Sequence, residues 1–209
     1  MIRCIVADKF PIVRHGIKNS IENEFKGALV SEANSSNGVL QLLDNENYDI
    51  VITEILQPNR FGIEFIQEIH LKYPNLPILI FSFHSENLYA IRLVKAGIMG
   101  YLTKKDELNE LINAIKTLLK GKKYFTDLLT ELMADHLSGK NKNIFHESLS
   151  DREFEVLVQI ALGNKYTDIA KLLFLSPNTI NTYRSRIIEK MGFKSNTDIV
   201  RYAFQHNLV

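Results

Sequence analysis

The feature that most constrains the fold is an alternation of short apolar runs with helical stripes over residues 1–121. Each apolar run has the length of a β-strand and is rich in Ile, Val or aromatic residues. The five runs are Ile2–Ala7, Ala28–Ala33, Ile50–Thr53, Ile78–Ser82 and Gly100–Thr103. Strands that alternate with helices are joined by right-handed crossovers, which make the strands parallel. We therefore predict an α/β doubly wound domain, in which helices cover both faces of a five-stranded parallel sheet.

The strand signals stop after Gly121, and the rest of the chain is predicted to be helical. Phe125–Leu137 is predicted to be a helix, and the polar segment 138–143 is predicted to be a linker. We predict an α/β domain over residues 1–121, a helix and linker over 122–147 and an all-α four-helix domain over 148–209. No apolar run reaches the roughly 20 residues of a membrane span, so we expect a cytoplasmic protein with no membrane contact.

The predicted helical domain contains two short helices joined by a tight turn. Ser150, with Glu153 three residues later, predicts a capping box at the start of its first helix. Thr167–Phe174 is then predicted to be a short helix, followed by a turn at 175–177 and a third helix over Asn178–Met191. Two short helices at this spacing are typical of a helix-turn-helix unit.

The outward face of the third helix is predicted to be polar and basic, and no acidic residue lies between Ile169 and Ile188. Such a face suits a polyanion. Asn181 has the groups to pair with adenine, and Thr182 can contact a thymine methyl or a base edge. On periodicity alone, a small helical bundle with a solvated basic face fits equally well. The predicted DNA-contacting residues are Thr179, Asn181, Thr182, Arg184, Ser185, Arg186 and Lys190.

Several short motifs in this half resemble the LuxR-type DNA-binding domain over its whole length, and the resemblance favours DNA reading. The chain has Asn181 where that family usually has Lys, and Tyr183 where it usually has His. The resemblance also implies that the last helix, Asn196–His206, pairs two chains on DNA through Ile199, Val200, Ala203 and Phe204. The alternative for those four residues is a place in the domain core. The motifs are residues 149–153, 168–170, 175–176, 179–180 and 184–187.

Polar residues at the ends of the predicted strands converge at one edge of the sheet. Asp8, Glu54 and Ser82 end the first, third and fourth strands, and Lys104 follows the fifth. Together with Pro58, Gly62, Ala96–Gly97 and Gly100–Lys104, they resemble the receiver domain of two-component response regulators. The whole chain is thus similar to the NarL/FixJ family of response regulators.

The resemblance implies a role for each position of this pocket. In the family, an aspartate at the position of Glu54 accepts a phosphoryl group, and acids at positions 8 and 9 help to bind Mg²⁺. The groups at Ser82 and Lys104 read the phosphoryl oxygens, while Ser82 and Tyr101 couple the pocket to the surface. Phe83 fills a position beside this switch that is usually small.

Two of these positions are altered, because Glu54 replaces the acceptor and Lys9 replaces the second acid. Asp8 and Glu54 against Lys9 and Lys104 give a pocket near neutrality, with little attraction for Mg²⁺. Phosphoryl transfer needs that metal and an in-line nucleophile. The extra methylene of glutamate displaces its oxygen by about 1 Å, and misplacement on that scale can cost roughly 100-fold in rate. We therefore expect no cofactor, at most a vestigial Mg²⁺ site at Asp8, and no catalytic residues.

The favoured hypothesis is a homodimeric transcription regulator that binds double-stranded DNA and does not depend on phosphorylation. A carboxylate about 4 Å from an ammonium gains about 4 kcal/mol at an effective dielectric of 20, before desolvation is subtracted. Glu54 could therefore partly imitate a phosphorylated aspartate toward Ser82 and Lys104. The alternatives are residual phosphorylation at Glu54 or elsewhere, control by a ligand or by a partner such as a histidine kinase or another regulatory protein, and an adaptor in which DNA binding is secondary.

Overall fold

The computed structural model describes residues 1–55, 62–83, 86–138, 145–206 and 208–209. The chain divides into two compact units, Met1–Leu132 and Met133–Val209. Of the predicted linker at 138–143, only Ser138 belongs to the described residues, and Pro58 also lies outside them.

The first unit contains one sheet of five parallel strands in the order β2-β1-β3-β4-β5, as predicted. In this order the connections wind to opposite sides of β1 and β3, so the carboxyl ends of these two strands form the switch point where doubly wound sheets bind ligands. The strands are β1 (Arg3–Ala7), β2 (Leu29–Ala33), β3 (Ile50–Thr53), β4 (Ile78–Ser82) and β5 (Gly100–Thr103).

Helices cover both faces of the sheet. On one face, α1 and α5 bury Ile17, Ile21 and Ile115 against Val6 and Ile52 of the strands. Pro11 occupies the first turn of α1, where its fixed φ suits a helix start. The helices of this unit are α1 (Pro11–Glu24), α2 (Ser36–Asn45), α3 (Gly62–Lys72), α4 (Glu86–Ala96) and α5 (Leu108–Leu118).

The chain adds one extended residue to the sheet edge after α5. Tyr124 pairs with Gly100 in an isolated parallel bridge, in which its N–H donates to Met99 at 2.9 Å and its carbonyl accepts from Tyr101 at 3.2 Å. Helix α6 then covers Asp127–Leu137. The prediction that this helix begins at Phe125 was therefore wrong by two residues, because the preceding backbone is bonded to β5.

The second unit is helical. After a short 3-10 helix, Phe145–Ser148, its core is built from Phe154, Ile169, Ile180 and Ile187, all fully buried. The predicted capping box of Ser150 and Glu153 is confirmed. No helix among the described residues is long and apolar enough to cross a membrane. The remaining helices are α7 (Asp151–Ala161), α8 (Tyr166–Leu173), α9 (Pro177–Met191) and α10 (Asn196–Gln205).

A three-residue turn, 174–176, separates α8 from α9. Phe174 ends α8 in the left-handed conformation, with φ of 56°. Ser176 caps α9 by accepting the Thr179 N–H at 3.1 Å, and Pro177 is the first helical residue. The helix-turn-helix arrangement predicted from the sequence is thus present in the fold.

Candidate functional site

The structure brings Asp8, Glu54, Ser82 and Lys104 together at the switch point of the sheet, as the sequence predicts. Lys104 Nζ lies 2.7 Å from Glu54 Oε2 and also bonds to Asp8 Oδ2. The three side chains are only 4%, 7% and 2% exposed, in the order Lys104, Glu54, Asp8. One buried ammonium is therefore shared by two buried carboxylates.

Backbone hydrogen bonds fix the far side of each carboxylate. Asp8 Oδ1 accepts the N–H of Phe10 at 2.8 Å, and Glu54 Oε1 accepts the N–H of Ile55 at 2.8 Å. The backbone N–H of Lys104 donates to the carbonyl of Ser82 at 2.7 Å, which holds the lysine against the end of β4. These bonds orient the acids toward the ammonium.

Lys9 does not join this cluster, so the prediction that it lies in the pocket was wrong. Its side chain is exposed, and its ammonium lies 4.9 Å from the centre of the Phe10 ring. An unpaired ammonium loses hydration if it is buried, which favours this outward position. Among the described residues, the enclosed cluster consequently holds two carboxylates and one ammonium, with one net formal negative charge rather than the expected neutrality.

The donors present do not suit Mg²⁺. Both carboxylates of the pocket are bonded to Lys104, and position 9 supplies an outward ammonium instead of an oxygen ligand. Among the described residues, no group of three or more His, Cys, Asp or Glu is placed to hold a metal ion.

Phe83 covers the outer side of the shared lysine. Its ring centre lies 4.7 Å from Lys104 Nζ, while the ring itself is 56% exposed. Ser82 and Tyr101, the predicted switch pair, are both fully buried. A cation over an aromatic face is attracted by the ring quadrupole, so Phe83 adds to the forces that hold Lys104 in place.

The exposed face of α9 is a candidate nucleic-acid interface. It presents Asn181, Thr182, Ser185 and Arg186 to solvent. The hydroxyls of Thr182 and Ser185 donate to carbonyls one turn earlier, at 3.0 and 3.1 Å. The amide of Asn181 and the guanidinium of Arg186 have no side-chain partner among the described residues. This face can therefore offer donors and acceptors to base edges and phosphates.

Three of the seven predicted DNA-contacting residues are held by neighbouring side chains. Thr179 Oγ1 lies 2.8 Å from Ser176 Oγ, and Lys190 Nζ lies 2.7 Å from Glu153 Oε2. Arg184 is partly buried rather than on the outward face as predicted, and its Nε donates to Asn196 Oδ1 at 2.7 Å. Its position one turn from both Ile180 and Ile187 explains this, because it borders the buried stripe of the helix.

The pKa of Glu153 reports the balance of forces at the Lys190 pair. Burial raises the pKa of this carboxyl, whereas hydrogen bonds from Lys190 and from the backbone and hydroxyl of Ser150 lower it. The net result is a pKa below the ordinary value of glutamate, so the charged form is the one that the fold stabilises.

Helix α10 divides the four residues predicted to pair two chains. Ile199 and Ala203 are fully buried, so for these two the alternative place in the core is the one observed. Val200 is partly buried, and Phe204 is 63% exposed. An apolar contact on the outside of α10 is thus limited to Val200 and Phe204.

No sequence pattern singles out Tyr166 or Asn196, although both lie at a junction of three helices. Asn196 receives the Arg184 bond and donates its own Nδ2 hydrogen to Tyr166 Oη at 2.9 Å. Asn196 is 12 positions from Arg184 and 30 positions from Tyr166 in the sequence. Neither Tyr166 nor Asn196 carries a charge that would have indicated a contact with DNA.

Comparison with known proteins identifies the two units separately. The family described as "Response regulator receiver domain" matches residues 4–116, and the family described as "Bacterial regulatory proteins, luxR family" matches residues 147–203. The chain is 29% identical over 210 residues to the response regulator GacA of Pseudomonas aeruginosa, covering 100% of this chain and 98% of that protein.

Solved structures of RcsB are also similar to this chain. RcsB from Salmonella enterica serovar Typhimurium bound to promoter P1flhDC in the presence of phosphomimetic BeF3⁻ is 26% identical, with a TM-score of 0.67 over 96% of this chain and 97% of that chain. A structure of two RcsB dimers bound to two parallel DNAs is 27% identical, with a TM-score of 0.60 over 96% and 97% of the two chains.

Proposed function

The chain belongs to the response regulators that join a receiver domain to a LuxR-type DNA-binding domain, and we propose that its control does not depend on phosphorylation of the receiver pocket. Response regulators of this type are DNA-binding transcription regulators.

The observation that carries the proposal is the 2.7 Å contact between Glu54 and Lys104. In the receiver family, the lysine at this place reads the oxygens of a phosphorylated aspartate. Here the ammonium is already bonded to the longer carboxylate at the acceptor position and to Asp8. Glu54 therefore supports a state that partly imitates phosphorylation. Because Lys104 already pairs with two carboxylates, it attracts an incoming phosphoryl group only weakly.

The chemistry of phosphoryl transfer is also disfavoured. The reaction relies on a metal ion that neutralises developing charge and on an aligned nucleophile. In this pocket the potential metal ligands are engaged with Lys104, and Lys9 stands where the family has a second acid. A metal ion could bind to Asp8 and Glu54 only after the buried bonds from these two carboxylates to Lys104 were broken.

For the second unit we propose double-stranded DNA as the partner, read from the major groove by α9. Asn181 and Thr182 are the base-reading residues, while Thr179, Arg184, Ser185, Arg186 and Lys190 contact the backbone.

The relative RcsB has been solved as dimers on DNA. We propose a homodimer that uses Val200 and Phe204 on two half-sites about one helical turn apart. The target being genomic DNA, the proposal also places the protein in the cytoplasm.

Intact mass measurement tests phosphorylation directly. The protein is incubated with acetyl phosphate and Mg²⁺, beside a Lys9→Asp and Glu54→Asp double variant that restores both acids. We expect no mass change in the wild type and a gain of about 80 Da, one phosphoryl group, in the double variant. A stoichiometric gain in the wild type that disappears in Glu54→Ala would contradict the proposal and favour a phosphorylation-competent regulator.

Selection from random DNA tests the second unit. We expect the full-length protein to enrich a two-fold symmetric sequence, because a homodimer presents two copies of α9. Failure to enrich any sequence would contradict specific DNA reading and would favour an adaptor that binds a histidine kinase or another regulatory protein.

A further inference from the structure

Three helices of the second unit meet at the side chain of Asn196. Its Oδ1 accepts from Nε of Arg184 in α9, and its Nδ2 donates to Oη of Tyr166 at the start of α8. A guanidinium can only donate hydrogen bonds, so the amide oxygen must face Arg184, and the amide nitrogen must then face the tyrosine. The chemistry of the three groups fixes the direction of both bonds.

This arrangement leaves donors available on both neighbours of Asn196. The two Nη groups of Arg184 make no hydrogen bond within the part of the chain that the structure describes, and its only such bond uses Nε. Because Tyr166 Oη accepts from the amide, its own hydroxyl proton is left for another acceptor. Both side chains are partly exposed.

The charge of Arg184 is also preserved. The group that holds it is a neutral amide, and no carboxylate pairs with it among the described residues. The acid nearest in sequence to Asn196 is Asp198, whose oxygens accept the backbone N–H groups of Lys194 and Ser195 and pair with Arg201. A full positive charge, two guanidinium nitrogens without a hydrogen bond among the described residues and one phenol O–H therefore lie around a single amide.

We propose that Arg184 and Tyr166 form a seat for one phosphate of the DNA backbone, with Asn196 as its positioning residue. A guanidinium binds phosphate oxygens in a bidentate manner, and a hydroxyl can donate to the same group. The seat rests on the proposed DNA-binding function and adds Tyr166 and Asn196 to it. Because it joins α8 and α9 to one phosphate, it sets the angle at which α9 presents Asn181 to the bases.

Two variants separate the parts of the seat. The probe is a 30-base-pair duplex carrying the sequence that the wild-type protein enriches from random DNA, measured by fluorescence anisotropy over a range of salt concentrations. Tyr166→Phe removes one uncharged donor, so we expect about a fivefold loss of affinity with an unchanged salt dependence. Asn196→Asp places a carboxylate against Arg184, so we expect about a tenfold loss and a fall of about 0.9 in the slope of log K against log salt.

Asn196→Ala provides a second test of positioning without a new charge. We expect it to lower affinity by about threefold, because Arg184 keeps its charge but loses its orientation. Thermal unfolding followed by circular dichroism accompanies each variant, and Asp is well tolerated at the first position of a helix such as α10. Equal unfolding temperatures with unequal affinities assign the effect to the seat.

A neutral phosphate identifies the contact itself. In a series of duplexes, each phosphate near the half-site is replaced in turn by an uncharged methylphosphonate. We expect one position to weaken the wild type and to have much less effect on Arg184→Ala and on Tyr166→Phe, since both variants have lost part of that contact. If replacing that phosphate weakens binding by both variants as much as it weakens binding by the wild type, the proposed seat is overturned.

The outcomes also separate this inference from the function on which it rests. No salt-dependent binding by the wild type would contradict DNA binding itself, and the seat with it. Wild-type binding that is unchanged by Tyr166→Phe and by Asn196→Asp would overturn the seat alone and leave the DNA-binding function in place.

Discussion

Lys104 in the first unit and Arg184 in the second are both held by hydrogen bonds that they donate to neighbouring side chains, but their partners differ. Lys104 is buried between two carboxylates, Asp8 and Glu54. Arg184 is partly exposed and is held by the neutral amide of Asn196. The first cation is neutralised where it stands, whereas the second is oriented and keeps its full charge.

The difference shows that the charge of the holding group decides what a fixed cation can do. A carboxylate holds an ammonium strongly and cancels its field, so the pocket around Lys104 has little attraction for another anion. An amide gives a weaker bond and leaves the field intact, so the surface near Arg184 still attracts phosphate. The first unit thus places its cation in a closed site, formed by Asp8, Glu54 and Lys104. The second unit places a comparable cation, Arg184, in an open site beside Asn196.

Removing the cation of the closed site has the largest expected effect. Lys104→Met leaves two buried carboxylates without their ammonium, and breaking a buried ion pair in this way costs about 3–5 kcal/mol. We expect a fall of that size in the free energy of unfolding, measured in urea by circular dichroism. The matched control is Lys116→Met, whose pair with Glu24 is about half exposed. It should cost no more than about 1 kcal/mol. Equal losses in the two variants would show that the pocket is not a closed ion cluster.

Changes on the exposed face of α9 should alter DNA binding rather than the stability of the fold. Asn181→Ala is expected to reduce discrimination at one base pair by about 1–3 kcal/mol, because an amide that can pair with one base edge is lost. The measurement is affinity for duplexes that vary one position at a time. The control, Arg186→Ala, should weaken binding to all of them and lower the salt slope by about 0.9. A uniform loss in Asn181→Ala would contradict its role in base reading.

The Glu153–Lys190 pair is an intermediate case, since its carboxylate is 3% exposed and its ammonium 42%. The pKa of Glu153 is lowered in the fold. Its stabilising effect is therefore complete above the unfolded pKa of about 4.3 and is lost as pH falls through the lower folded pKa.

Glu153→Gln should cost about 1–2 kcal/mol at pH 7, since it weakens both the ion pair and the capping box. The deficit should shrink toward zero as the pH falls below the unfolded pKa of about 4.3 and through the lower folded pKa, because the wild-type carboxyl then becomes protonated. Urea unfolding at a series of pH values measures it. Glu189→Gln, on the exposed side of α9, is the control and should show no such pH-dependent deficit. A deficit that is constant with pH would mean that charge is not the cause.

The smallest expected effect concerns the cover of the closed site. Phe83→Leu removes the ring beside Lys104, and a cation–π contact of this kind contributes about 0.5–1 kcal/mol. Phe10→Leu is the control, because the Lys9 ammonium over that ring belongs to an exposed side chain. It should cost only a few tenths of a kcal/mol. A larger loss in Phe10→Leu than in Phe83→Leu would contradict the assignment of Phe83 as the cover.

The strands were predictable because buried parallel strands leave a simple trace in the sequence. The runs that end at Thr53, Ser82 and Thr103 agree with the observed strands, since each consists mainly of apolar residues and is buried over nearly its whole length. The convergence of Asp8, Glu54, Ser82 and Lys104 followed from that topology, because the carboxyl ends of parallel strands lie at one edge.

The direction of individual side chains was less predictable. Lys9 follows Asp8 directly, and only the three-dimensional path of the β1–α1 loop shows that it turns outward. The bond from Arg184 to Asn196 joins residues on different helices, and no local pattern encodes it. The face of α10 that joins the core is the one that α7 covers. Periodicity alone does not show whether that face carries Ile199 or Phe204, and the structure buries Ile199 and exposes Phe204.

The sequence distance within the closed site has a consequence for how the protein is made. Asp8 and Lys104 are separated by 96 positions, and β5 is the last strand to leave the ribosome. Until β5 docks, the two acids have no ammonium, and burying them unpaired would be costly. The nascent chain must therefore keep this edge of the sheet hydrated through the synthesis of four strands. Closure of the site needs Lys104, so it can follow only after all five strands have been synthesised.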